Sequence, residues 1–348
     1  MPEQPLPELT NRQRDLLRRV VRAHVSTGQP VGSKALVERF HLAVSPSTVR
    51  NELAELEALG FLTHPHTSAG RVPTEAGYRL YAAGLLDTLE PRPSEFPLDL
   101  RTVRNEVDSA LRATTEMLSG ITRLLALVSA PPLETATVRH VEVLLLQPEV
   151  AMIVVITSTG GVTKRVFAFA DPVDPGLANW ASEYLNDEIA GLQLGSHLMR
   201  RRFDDPSLSA RERTFLAAVA PVFTDLVSSE EQRVYVGGTA SLLEDVRPEE
   251  LAACRHLLEV LERRAELFGL LGGTLGSRRP FVRVGTDLES RDLQHVSLVG
   301  ASYGLANRTL GAVSLLGPVR MDYEKAIRSV RAAAHELSRF VEEVYEPG

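Results

Sequence analysis

Val31 to Thr74 reads VGSKALVERFHLAVSPSTVRNELAELEALGFLTHPHTSAGRVPT, and the fold of this 348-residue chain turns on how those residues are read. Ser45 offers a hydroxyl to a free backbone N–H at a helix start, and Pro46 has the fixed φ that suits the first helical position. Val49, Leu53, Leu56 and Leu59 recur at helical spacing and define a buried stripe. At about 100° per residue, Ser47, Arg50, Asn51 and Ala54 fall on the opposite face. Arginine can bond guanine at two atoms and asparagine can do the same for adenine, so this short polar face suits base edges. A preceding helix over Ser33–Phe40 would brace it, as in helix-turn-helix proteins. Gly60 is the stop signal, and Phe61–Leu62 begins a short strand. His64 to Arg71 (HPHTSAGR) then forms a turn whose small residues let backbone lie close to a phosphate chain, with Arg71 supplying charge. Val72 starts the return strand, and Thr74 can cap a helix through Tyr78 and Tyr81. Helix, helix and basic hairpin in that order predict a winged helix-turn-helix.

Working outward, PVGSKALVERF, VSPSTVRNELAELEALGFL and PHTSAGRVPTEAGYR closely resemble the N-terminal domain of the HrcA family of heat-inducible transcription repressors. The match is near-continuous from Leu9 to Tyr81, and the wing PHTSAGRVPT is its most specific part. Near the C-terminus, GPVRMDYEKAI is similar to the family's GPTRMDY run, with Val319 in place of Thr. VRVGTDLES departs from the more usual IGxEN pattern. The resemblance implies an α+β plan: an N-terminal winged helix-turn-helix, then a GAF-like α+β domain with an inserted, mostly helical dimerisation segment. It implies a homodimer bound to a double-stranded inverted-repeat operator, CIRCE, upstream of chaperone operons, and kept active by a GroEL-type chaperonin. It also implies that Ser47, Thr48, Arg50 and Asn51 face the groove, while Thr67, Ser68 and Arg71 hold the wing to DNA. A dimer agrees with the physics, because a two-fold pair reads a palindrome whose half-sites lie about one helical turn (~34 Å), or a multiple of it, apart.

Composition sets the remaining bounds. The chain is 44% hydrophobic with a formal charge of −7, the balance of an ordinary globular protein. Charge distribution counts for more than the sum. Thr10 to Leu80 holds ten Lys/Arg against six Asp/Glu, so a mildly basic head precedes an acidic remainder. The single cysteine, Cys254, forms no intrachain disulfide and sits in LAACRHLLEV, which reads as a buried helix position. The start MPEQPLPELT has neither a basic region nor an apolar core, and no apolar run approaches membrane length, so the cytoplasm is the expected compartment and no membrane partner is expected.

Taken in order, Thr10-Asn11-Arg12-Gln13 has capping-box spacing. Leu16, Leu17, Val20, Val21 and His24 then share one face of a helix that ends near Gly28. Residues 1–90 are the predicted DNA-binding domain. Residues 91–97 are a linker stiffened by prolines, expected to let the heads adjust to half-site spacing. A helix is predicted from Leu98 to Val128. VRHVEVLLLQ, VAMIVVITSTG and VTKRVFAFA read as a three-stranded meander; PFVRVG, HVSLVGASY and TLGAVSLLGP are three more strands, and a last helix runs from Asp322 to Val344. The GAF-like domain is placed at 98–173 and 272–348, and the inserted segment at 174–271.

No catalytic chemistry stands out, so an enzyme is not expected. Gly269 to Gly276 is glycine-rich but lacks dinucleotide-loop spacing, and Gly32-Ser33-Lys34 is not a phosphate loop. His64 and His66 lack further metal ligands. No cofactor is expected, although a ligand-sensing regulator using the GAF-like domain remains the alternative reading.

Overall fold

The computed structural model of the chain describes residues 9–65, 70–89, 95–100, 107–131, 136–158, 161–223, 233–240, 251–262, 279–288 and 293–345. Residues 67 and 68 of the wing tip and residues 90–94 of the linker lie outside these.

The head is built as its local signals dictate. Helix α1 (Asn11–Thr27) opens on the Thr10–Gln13 capping box and closes on Gly28 at φ 68°, a left-handed position that suits glycine. Helices α2 (Ser33–Phe40) and α3 (Pro46–Ala58) follow, with the Ser45 hydroxyl accepting from the Thr48 N–H. Val49, Leu53 and Leu56 are buried, but Leu59 is 40% exposed. The expected stripe therefore stops one turn early, because the helix ends at Ala58 and Gly60 turns the chain away at φ 81°. Strands β1 (Leu62–Thr63) and β2 (Val72–Pro73) form an antiparallel hairpin, and helix α4 (Glu75–Thr88) starts on the Thr74 cap.

Residues 98–128 are not one helix. Helix α5 (Val107–Thr122) ends at Arg123, which is left-handed at φ 57°, and β3 (Leu125–Ser129) follows. Leu125 and Val128 fit the helical stripe of α5, yet every residue of β3 is buried, as in a central strand. Strand β3 lies second in a five-stranded antiparallel sheet. After β4 (Val138–Gln147), β5 (Val150–Thr157) and β6 (Val162–Ala168) come helices α6 (Pro175–Ile189), α7 (His197–Phe203) and α8 (Ala210–Val219), strand β7 (Val234–Gly237) and helix α9 (Leu251–Glu262). Strands β8 (Phe281–Val284), β9 (Val296–Leu305) and β10 (Arg308–Pro318) precede the last helix, α10 (Tyr323–Tyr345). The large sheet has the order β7-β3-β10-β9-β8. Its Ala126, Val128, Val299, Ala301, Val313 and Leu315 share a core with α5 and α10. Leu125, Leu127, Leu298 and Leu316 alternate to the other face, beneath Cys254 and Leu257 of α9.

The meander corrects the expected domain layout. Strands β4-β5-β6 form a sheet of their own and share no strand with the larger one. Val141, Val143, Ala151, Ile153 and Val155 pack instead with Ala181, Leu185, Leu216 and Phe223 from α6, α8 and the turn after α8. The part with its own core thus begins near Ala136, before the predicted 174, while β7 and α9, placed in the insertion from sequence, belong to the large sheet's layers.

The head is not carried on its linker alone. One buried cluster runs from Leu17, Leu56 and Tyr81 of the head into Ile327, Val330 and Leu337 of α10. Tyr78 and Tyr81 place their rings 6.0 and 6.3 Å from that of Tyr323. Burial pushes the Tyr323 phenol well above its ordinary pKa, so it stays protonated, hydrogen-bonded to Ser297 at 2.7 Å and donating to the Val319 carbonyl. Among the described residues, no helix is long and apolar enough to cross a membrane.

Candidate nucleic-acid interface

The outer face of α3 is open. Ser47, Arg50, Asn51 and Ala54 are exposed and Thr48 is half-buried. The Ser45 hydroxyl lies 2.7 Å from that of Ser47 and 2.9 Å from that of Thr48, so the cap residue ties both to the helix start. These two hydroxyls sit where free backbone N–H groups already favour an anion such as phosphate. Arg50 and Asn51, one turn further on, have no hydrogen-bond or ionic partner among the described residues. Their donors are available to a ligand without first breaking an internal bond. Behind this face, α1 braces α3: Arg12 pairs with Glu52 at 3.3 Å, and Gln13 Nε2 donates to Glu55 at 2.8 Å.

The hairpin is pinned beside α3. Val31 and Arg71 exchange backbone hydrogen bonds of 2.8 and 2.9 Å, an isolated antiparallel bridge that ties the segment before α2 to the wing. Gly70 is required there, because a Cβ would fall 2.5 Å from the Val31 carbonyl carbon. Thr74 Oγ1 donates to the Gly60 carbonyl at 2.7 Å, closing the hairpin's base.

Sequence reading missed Glu57. Its carboxylate receives Arg71 Nη2 at 2.7 Å and also contacts Nδ1 of His64. Arg71, assigned to DNA from sequence, thus has an internal anion, and its Nε is buried without a partner among the described residues. Partial burial pushes the Glu57 carboxyl up. The His64 hydrogen bond and the Arg71 charge together outweigh that and hold it below its ordinary value. A signal was present in the sequence. Glu57 lies in the last turn of α3, where the helix dipole disfavours an acid, so a cationic partner was called for. Thr67 and Ser68, the other wing residues, are outside the described residues.

An open polar helix face beside a pinned hairpin, mounted on a mixed α+β body, is the build of a DNA-binding transcription regulator. Comparison with known proteins makes this particular. Residues 108–327 match the family model described as the HrcA protein C-terminal domain. The chain is 36% identical over 341 residues to the heat-inducible transcription repressor HrcA of Frankia casuarinae, covering 94% of this chain and 97% of that one. It is 35% identical over 349 residues to the repressor of the same name from Acidothermus cellulolyticus, covering 96% and 99%. A crystal structure of a hypothetical protein has the same fold, with a TM-score of 0.62 at 22% identity over 97% of this chain and 98% of that one. The chain belongs to the HrcA family of heat-inducible transcription repressors, a regulatory and non-enzymatic family.

Proposed function

We propose that residues 9–89 are a winged helix which reads one half of an inverted-repeat operator of the CIRCE type, and that a two-fold dimer of the chain represses heat-inducible chaperone genes in the cytoplasm by occupying it. The observation that carries this reading is the pair Arg50 and Asn51, without internal partners among the described residues, on an exposed, well-capped helix face beside the hairpin. Ser47 and Thr48 would contact backbone or base edges at the helix start, and Thr67 and Ser68 would meet phosphate at the wing tip. Arg71 serves first to pin the wing to Glu57.

The five-stranded sheet with α5 and α10 would be the GAF-like body. The unit beginning near Ala136 would be the inserted dimerisation module. Its sheet buries one face against α6–α8, but Leu146 of β4 and Val162 and Val166 of β6, on the opposite face, are 52%, 64% and 56% exposed. Glu142 and Lys164 flank Val154 in one row of that sheet. A copy turned by a two-fold axis through Val154 would lay each Glu142 over a Lys164.

A gel-shift titration on the inverted repeat, with scrambled duplex as competitor at two salt concentrations, tests the reading. A preference of about a hundredfold or more is expected. Equal, salt-sensitive binding to both duplexes would refute it. The chaperonin of the GroEL type is the partner that the family resemblance implies. Heat-stressed protein that binds operator equally well with and without it would remove that part.

A second reading, control by a small anionic ligand, has one observation in its favour. A groove of about 470 Å³ between β9 and α10 is lined by Arg279, Ser302, Arg331 and His335, together with the carboxylate of Glu342. A saturable rise in melting temperature with small carboxylates or phosphates would support it.

A further inference from the structure

The turn Val284-Gly285-Thr286-Asp287 leaves the end of β8. It grips the head. Arg79 of α4 donates through Nε to Asp287 Oδ2 at 2.9 Å, and through Nη2 to Thr286 Oγ1 at 3.0 Å and the Val284 carbonyl at 3.3 Å. The same Nη2 holds Glu75 at 2.6 Å, and Glu75 accepts from the Thr286 N–H at 3.0 Å and its hydroxyl at 2.6 Å. Asp287 also accepts from the Val284 N–H at 3.0 Å, which fixes the loop's own shape. Gly285 is left-handed at φ 56°, and a Cβ there would fall 2.3 Å from the Glu75 carboxyl carbon. The Val284 carbonyl, the Thr286 N–H and hydroxyl, and the Asp287 carboxylate are thus each bonded to a side chain of α4.

The tyrosine packing beside this network holds the head on the body, but apolar contact is non-directional. A planar guanidinium gripping two carboxylates, a hydroxyl and a carbonyl is directional. We propose that Arg79 is a positioning residue for DNA reading. Through Asp287 and Thr286 it fixes the angle at which the head is carried on the body, and so the separation of the two recognition helices in the dimer. The proposal rests on the operator-dimer reading above, and Arg79 is not itself one of the residues assigned to DNA.

The test uses the full chain on a single half-site and on inverted repeats whose spacer changes by one base pair at a time. Wild type should prefer one spacer. Arg79→Ala should lose about tenfold there, as the effective concentration of the second head falls. It should lose less on neighbouring spacers and nothing on the half-site. Asp287→Asn should follow it, and Arg79→Lys should recover little, since an ammonium cannot span Asp287 and Glu75 in one plane. A wild-type spacer profile in Arg79→Ala, or an equal loss on half-site and all spacers, overturns the proposal. A wild type indifferent to the inverted repeat would sink the operator reading instead. The DNA-free protein separates the two failures: Arg79→Ala should speed amide exchange across residues 281–284 and leave α3 unchanged. Unaltered exchange at 281–284 overturns the latch whatever DNA binding shows.

Discussion

Replacing Arg71 with alanine tests whether the wing's arginine serves DNA or the protein itself. Its guanidinium lies 2.7 Å from Glu57, and both side chains are 24% exposed. A pair this open is screened, so its loss should destabilise the head by only about 1 kcal/mol. The DNA effect follows from counting charges. A cation that neutralises a phosphate contributes ~0.9 to the slope of log affinity against log salt. Arg71 already has an anion, so Arg71→Ala should move the slope by much less than ~0.9. Affinity should still fall modestly, because an uncompensated Glu57 repels phosphate. Glu57→Gln should do the opposite, freeing Arg71 and steepening the slope towards ~0.9 more. The double variant should return near the wild-type slope. Fluorescence anisotropy on operator and scrambled duplexes over a salt series reads all four proteins. If Arg71→Ala flattens the slope by the full ~0.9 and Glu57→Gln leaves it unchanged, phosphate displaces Glu57 in the complex and the reasoning is wrong.

Three further outcomes are expected. Arg50→Ala should relax discrimination at one operator position by ~1–3 kcal/mol, read by competition with single-base variants; an equal loss at every position would mean that Arg50 contacts backbone. Because Glu57 is held below its ordinary value of 4.5, its contribution is complete above that pH and is lost as pH falls through the lowered value. The stability difference between wild type and Glu57→Gln should therefore vanish in acid, and a difference that grew there in denaturant titrations would contradict the sign. Val166→Asp places like charges on the exposed sheet face and should give monomers by sedimentation, with circular dichroism unchanged; a persistent dimer would move the interface elsewhere.

The head was legible because its signals are local. A capping box at Thr10, a serine cap with proline at Pro46, a glycine stop at Gly60 and the Thr74 cap each act within a few residues, and each forms as its residues require. Ser47, Arg50, Asn51 and Ala54 were placed on the outside by helical period alone, and they are exposed. Glu57 was not read because its partners, His64 and Arg71, meet it only after the hairpin folds back. The same holds for Arg79, whose partners on the body, Val284, Thr286 and Asp287, lie more than two hundred positions away in sequence.

The misplaced strands have a different cause. Periodicity reports which face of an element is buried, and it is silent about what covers that face. Val150 to Thr157 is a continuous apolar or β-branched run whose burial alternates only in the folded sheet, and such a run fits either sheet equally well. What separates β4–β6 from the large sheet is the supply of helices: Ala181, Leu185 and Leu216 seal their inner face locally. The large sheet must therefore draw its fifth strand from Val234–Gly237, after those helices. Leu125 to Ser129 shows the limit in another form. Its Leu125 and Val128 continue the stripe of α5, and only the left-handed Arg123 breaks the helix before them. A backbone reversal at a non-glycine residue carries no compositional mark, so the boundary between α5 and β3 is decided by pairing with β7 and β10 on either side.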